Sequence, residues 1–165
     1  VARKRKGNAP QSARRSLWAL FLKAHAQVAR AIEEELRKNG LPELEWYDVL
    51  WALEQAPQQR LRMHELAKAT VITRSNMTRL VDRLEADGLL NRNRNCEDRR
   101  GAYAVLTPEG RRRRQEIWQV YGMAIAALFE RHVTGAEARA MEAALERILD
   151  SLHRNRDQRI EGRLH

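Results

Sequence analysis

Met77, Leu80, Val81 and Leu84 stand at i, i+3, i+4 and i+7, a spacing that gives a helix one apolar stripe and leaves its other sides to water. At roughly 100° per residue, Ser75, Arg79, Asp82 and Ala86 fall on the opposite side, with Asn76, Thr78 and Arg83 on its flanks. Thr73 is placed to cap this helix through its hydroxyl. Just upstream, Met63 to Thr70 predicts a shorter helix that buries Leu66 and Ala67, with a turn at Val71 and Ile72. A short helix, a tight turn and a second helix with Ser, Asn, Thr and Arg outward form the helix-turn-helix pattern. The same residues also describe an ordinary surface helix, so this segment alone leaves both readings open.

The residues that follow favour the first reading. Gly88 ends the helix, and Leu89–Asn95 and Ala102–Leu106 predict two short strands around the polar tip from Cys96 to Gly101. The expected fold class is mainly α with a small β-hairpin wing. Arg92, Arg94, Arg99 and Arg100 lie on that wing, and a narrow minor groove attracts arginine through its negative potential. Asp98, two residues before Arg100, is placed to orient that guanidinium by a charge-assisted hydrogen bond.

The rest of the chain reads as helix. Leu17, Phe21, Ala24, Val28 and Ile32 predict a helix from Ser16 to Lys38 that Gly40 ends. Pro42 is expected to open the next helix, which runs to Pro57 with Leu44, Tyr47, Leu50, Trp51 and Leu53 on its apolar side. Thr107 and Pro108 start a long helix carrying Ile117, Tyr121, Ala124, Ile125 and Leu128 to about Arg131. Thr134 and Glu137 form a capping box before a last helix marked by Met141, Leu145, Ile148 and Leu152. A winged helix-turn-helix occupies only residues 42–107, so the stripes of 16–41 and 108–155 need another cover. A homodimer supplies it, and it sets two recognition helices about one DNA turn (~34 Å) or a multiple apart on a pseudo-palindromic duplex.

Charge places the polyanion site in the middle of the chain. Of the formal net charge of +9, residues 1–15 carry +6, 16–59 carry −3, 60–100 carry +4 and 101–133 carry +2, with 134–165 neutral. Residues 1–15 read as a basic flexible tail. The uncharged run Ile117–Phe129 has thirteen residues, short of the roughly 20 that a bilayer span needs, so no membrane partner is expected. With no secretory signal and a single cysteine, a cytoplasmic protein is expected. Cys96 sits beside both arginines and acids, an environment that does not favour a thiol switch. His25, His64, His132 and His153 are dispersed and no CxxC or HxxxH occurs, so no metal site is expected. GxxxxGK, GxSxG and HExxH are absent, so no catalytic residues and no cofactor are assigned. Ile160-Glu161-Gly162-Arg163 matches a protease-recognition tetrapeptide used in expression vectors, and residues 160–165 are left out of the functional reading. A second reading is an architectural protein that coats DNA with little sequence preference and no ligand, supported by the basic tail and the Arg111–Arg114 run.

Leu66-Ala67, the run Met77 to Glu85, Gly88-Leu89-Leu90, and above all Asp98-x-Arg100 with Leu106-Thr107 and Gly110 resemble the MarR family of transcriptional regulators. The resemblance covers about residues 16–153. It implies a homodimer that reads pseudo-palindromic promoter DNA, in many relatives as a repressor. By position it makes Ser75, Asn76, Thr78 and Arg79 major-groove contacts, Arg100 the minor-groove residue, and Arg74 and Arg83 phosphate contacts. It also implies a small aromatic or phenolic acid as effector, bound between the dimer core and the DNA-binding unit. Trp18, Trp46, Tyr47, Trp51, Trp118 and Tyr121 lie on helices expected around that space, although core packing is the commoner role of such residues. Trp18, Tyr47 and Trp51 are the aromatic ligand candidates. Arg60 and Arg62 are placed either to attract the effector's carboxylate or to stand in a short strand before the third helix without contacts.

Overall fold

The computed structural model describes residues 11–70, 72–93 and 102–161. Among them the chain is mostly helical, with one small sheet, in two compact units that meet in sequence between Ile125 and Ala126.

The first unit begins with α1 (Gln11–Lys38). It starts five residues before the expected Ser16, because nothing between Pro10 and Ser16 breaks a helix; residues 11–15 are therefore helical rather than tail. Only the far end of its apolar stripe is covered: Ile32 and Leu36 are buried, whereas Leu17 is 67% and Trp18 60% exposed. Next comes α2 (Leu44–Gln55). Pro42 does not open it. The first residue, Leu44, instead donates its backbone N–H to the Glu33 carboxylate of α1 at 2.9 Å, so an acid from the neighbouring helix fills the capping role that Glu43 leaves vacant.

A short 3-10 turn at Pro57–Gln59 leads into β1 (Arg60–Arg62), which runs straight into α3 (Met63–Ala69). The Arg62 N–H donates to Glu65 Oε2 at 2.8 Å and fixes that start. The second helix of the expected helix-turn-helix is α4 (Arg74–Ala86), with Thr73 Oγ1 accepting from the Asn76 N–H at 3.4 Å. Gly88 ends it at φ +72°, and the Leu89 N–H returns to the Leu84 carbonyl at 2.9 Å; that left-handed turn is open to glycine at little cost. The wing strands are β2 (Leu90–Asn93) and β3 (Tyr103–Leu106). Each starts one residue later than the sequence predicts, and β1 adds to them in the order β1-β3-β2, with Leu61 opposite Ala104 and Leu90 opposite Leu106. The expected hairpin is thus the larger part of a three-stranded antiparallel sheet.

One core holds this unit together. Leu50 and Leu53 of α2, Leu66 of α3, the four stripe residues of α4, and Leu90 and Ala104 of the sheet interlock, all essentially inaccessible to water. Helix α5 (Pro108–Leu128) opens as predicted, with Thr107 Oγ1 donating to the Gly88 carbonyl at 2.8 Å and accepting from the Gly110 N–H at 3.0 Å. It ends at Leu128 instead of Arg131 because Phe129 leaves helical geometry and Glu130–His132 form a 3-10 turn.

In the second unit, α6 (Gly135–Glu161) starts on the predicted capping box: Thr134 N donates to Glu137 Oε2 at 2.9 Å, and Glu137 N donates to Thr134 Oγ1 at 3.4 Å. It continues past residue 155, since no glycine or proline intervenes before Gly162. Met141, Leu145, Ile148 and Leu152 keep their helical spacing but remain exposed.

Candidate nucleic-acid interface

The core chooses which face of α4 meets solvent. With Met77, Leu80, Val81 and Leu84 pinned inward, Ser75, Asn76, Thr78, Arg79, Asp82 and Arg83 are all exposed. Ser75 Oγ lies 3.2 Å from the capping Thr73 Oγ1. Asn76, Arg79, Asp82 and Arg83 share a concavity with Glu45 of α2. Arg74 is the first residue of the helix.

Asp82 on this exposed face is answered by a cation, Arg92. From β2, its guanidinium reaches back to pair with the Asp82 carboxylate and to donate to the Thr78 carbonyl at 3.4 Å. Its Nε stands 3.5 Å from Glu85 Oε2, and its backbone N–H donates to Glu85 Oε1 at 2.8 Å. Arg92 is therefore a brace between the sheet and α4, with its guanidinium turned to that helix. The wing-tip candidates Arg94, Asp98, Arg99 and Arg100, and Cys96 with them, lie outside the described residues.

Arginines that look alike in the sequence separate here. Arg83 leans on α2, 3.6 Å from Glu43 and with its guanidinium 5.9 Å from the Trp46 ring centroid. Arg79 has no acid partner among the described residues, which leaves its guanidinium available to a base edge or a phosphate. Each arginine of the Arg111–Arg114 run pairs with an acid: Arg111 and Arg114 with Glu54, Arg112 with Glu109, and Arg113 with Glu116. That run is a weaker polyanion site than its sequence suggests.

The ligand candidates form two groups and a remainder. Tyr47 is buried among Trp51, Trp118 and Tyr121, at centroid distances of 6.1, 5.7 and 5.0 Å, so packing accounts for much of that aromatic set. Arg114, paired with Glu54 at 2.6 Å, lies over the Trp51 ring at 5.2 Å. Burial raises the Tyr47 hydroxyl above its ordinary pKa, and Arg114 partly offsets this. Arg60 and Arg62 do stand on a short strand, but they are not without contacts: their guanidinium carbons lie 5.0 and 4.9 Å from the Tyr103 ring centroid. Trp18 stacks on Phe21 at 6.0 Å instead. Among the described residues no three His, Cys, Asp or Glu side chains gather as a metal site, and no helix is long and apolar enough to cross a membrane.

The sequence reading passed over Asp48. Burial, reinforced by Glu45 and Glu33, holds its carboxyl up to about 6 against the usual 3.8. A carboxyl that titrates higher in the folded chain favours folding while protonated, and that advantage fades as pH rises through the folded value. Wild type is therefore expected to lose stability relative to Asp48→Asn between pH 3.8 and about 6, with a constant gap above. Urea midpoints of both proteins across that window check this, and parallel curves would contradict it.

Residues 39–101 match the MarR family model. The HTH-type transcriptional repressor YetL of Bacillus subtilis (strain 168) is 33% identical over 106 residues, which are 64% of this chain and 63% of YetL. The chain is similar to the MarR family regulators. The crystal structure of Sco3205, a MarR family regulator from Streptomyces coelicolor in complex with DNA, superposes with TM-score 0.78 at 25% identity, over 87% of this chain and 93% of that one. Bordetella bronchiseptica BpsR, whose DNA binding is regulated by 6-hydroxynicotinic acid, matches at TM-score 0.70 and 22% identity, over 81% of this chain and 98% of that one.

Proposed function

We propose that this protein is a MarR-family transcriptional regulator, a homodimeric, sequence-specific repressor that sets α4 of each copy into successive major grooves of a pseudo-palindromic promoter site. The observation that carries the reading is the exposed face of α4. Ser75, Asn76, Thr78 and Arg79 offer hydrogen-bonding groups suited to base edges, with Arg matched to guanine and Asn to adenine, and Asp82, the acid on the same face, is paired with Arg92. Arg74 and Arg83 at the helix edges are assigned to phosphates, and Arg94, Arg99 and Arg100, with Asp98 orienting, to the wing contact. Pairing between copies accounts for the apolar side chains that α1 and α6 leave in water, among them Leu17, Trp18, Ile148 and Leu152. A small effector that biases the dimer towards a DNA-free arrangement completes the reading, in line with the regulation of BpsR by a small aromatic acid.

The test is a fluorescence-anisotropy titration against the duplex upstream of the protein's own gene and a scrambled duplex at one salt concentration, with light scattering for the mass in solution. A regulator prefers its site by on the order of a thousandfold or more. Equal binding to duplexes tiled across the whole neighbouring region would favour the architectural reading, which the paired Arg111–Arg114 run now supports less.

A further inference from the structure

Beside the aromatic cluster, the face of α2 opposite Leu50 and Leu53 borders an open groove of about 470 Å³, inside the roughly 300–1,000 Å³ range of small-molecule sites. Trp51 and Ala52 of α2, Pro57 of the 3-10 turn and Leu61 of β1 give it apolar and aromatic walls. Among the described residues, Asp48 is the only charged one lining it. No cation among the described residues pairs with that carboxylate, and Glu45 and Glu33 add negative charge at its side. Arg60 and Arg62 lie over Tyr103, and Arg111 and Arg114 pair with Glu54, Arg114 also lying over the Trp51 ring.

A half-buried carboxylate without a cation is unfavourable in a low-dielectric wall, and a ligand that brings the missing charge relieves it. The same carboxylate repels an acid. An aromatic wall next to a carboxylate is a match for an organic ammonium ion, whose charge is drawn to both and whose apolar body fills the groove. We propose that this groove binds a small aromatic ammonium ion, with the ammonium on Asp48 and the ring against Trp51. This inference rests on the effector-controlled regulator proposed above and sets the effector's charge: a cation in place of the phenolic or carboxylic acid that the family resemblance implies. The raised carboxyl of Asp48 agrees with it, since a bound cation stabilises the ionised form.

The experiment uses the full chain without DNA. Phenethylammonium, phenethyl alcohol and phenylacetate are compared by calorimetry near neutral pH, with the Trp51 indole N–H resonance reporting the place of binding. Phenethylammonium is expected to bind on the order of tenfold more tightly than the alcohol, with phenylacetate weakest. Asp48→Asn should erase the preference and leave alcohol binding unchanged, which an unfolded variant would not do. Trp51→Leu should weaken the ammonium and the alcohol together. Equal binding of all three probes, tighter binding of phenylacetate, a preference that survives Asp48→Asn, or no binding at millimolar probe would overturn the site. A second titration adds phenethylammonium to the operator complex. Release of DNA supports the effector role, and binding without release overturns that role alone. Failure of the protein to select any duplex would instead strike the regulator reading while leaving the calorimetric result standing.

Discussion

Gly110→Ala is expected to destabilise the winged-helix unit by about 3 kcal/mol or more, at or beyond the upper end of typical overpacking costs. Gly110 sits in the first turn of α5, pressed against the chain that leaves α4. A Cβ there would overlap the Leu89 carbonyl oxygen and come within 2.9 Å of Leu106 Cδ1. Backbone cannot rotate aside as a long side chain can. The Leu89 carbonyl also accepts the Thr107 N–H at 3.2 Å, and Thr107 ties Gly88 to Gly110 through its hydroxyl. Any shift that makes room for a methyl group therefore pulls apart the clasp joining the base of the wing to α5. Equilibrium urea unfolding measures the loss, and Gly135→Ala is the control. At Gly135 the nearest atom to an added Cβ is the flexible end of Arg139 at 3.6 Å, so little change is expected. Matching midpoints for the two variants would show that α5 does not hold its close approach to Leu89 in solution.

Gly110 also marks the boundary of what the sequence discloses. Its presence after Leu106-Thr107 contributed to the family resemblance, yet the reason only glycine fits lies in a carbonyl twenty-one residues upstream. Local patterns were legible: the i, i+3, i+4, i+7 stripe of α4 is the buried face, and the Thr73, Thr107 and Thr134 caps form where a hydroxyl precedes a helix. Contacts made by long side chains across elements were not. Arg92 reads as one more wing arginine until β2 folds back along α4 and brings it to Asp82. The Arg111–Arg114 run reads as a polyanion site until α2 presents Glu54. Pro42 has the residue type of a helix start, but α1 already offers Glu33 to the N–H of Leu44, which moves the start onward. For the candidate site, the outward face of the recognition helix followed from periodicity. The division of its arginines into free and engaged did not, because that depends on which acids other elements bring within reach.

Under the proposed function, that division makes Arg79 the decisive residue for base reading. Asp82, three residues on, would be its natural partner on the helix surface, but Arg92 already holds that carboxylate. Arg79 is exposed beside Asn76, with a planar fork suited to the O6 and N7 of guanine. Arg79→Ala is expected to cost ~1–3 kcal/mol per half-site, hence roughly 2–6 kcal/mol for a dimer on both halves, and to abolish preference at one base pair in each. Arg79→Lys should recover part of the affinity but little of the preference, because an ammonium offers a point charge without the fork. Arg83→Ala should behave differently. Its guanidinium is shared with Glu43 and Trp46, so its loss should weaken binding to all duplexes alike and shallow the salt dependence. Anisotropy titrations of the three variants against the operator and its single-base substitutions separate these outcomes. If Arg79→Ala lowers affinity uniformly while Arg83→Ala alters the preference, the two arginines have exchanged roles, and α4 enters the groove rotated towards α2 from the orientation proposed.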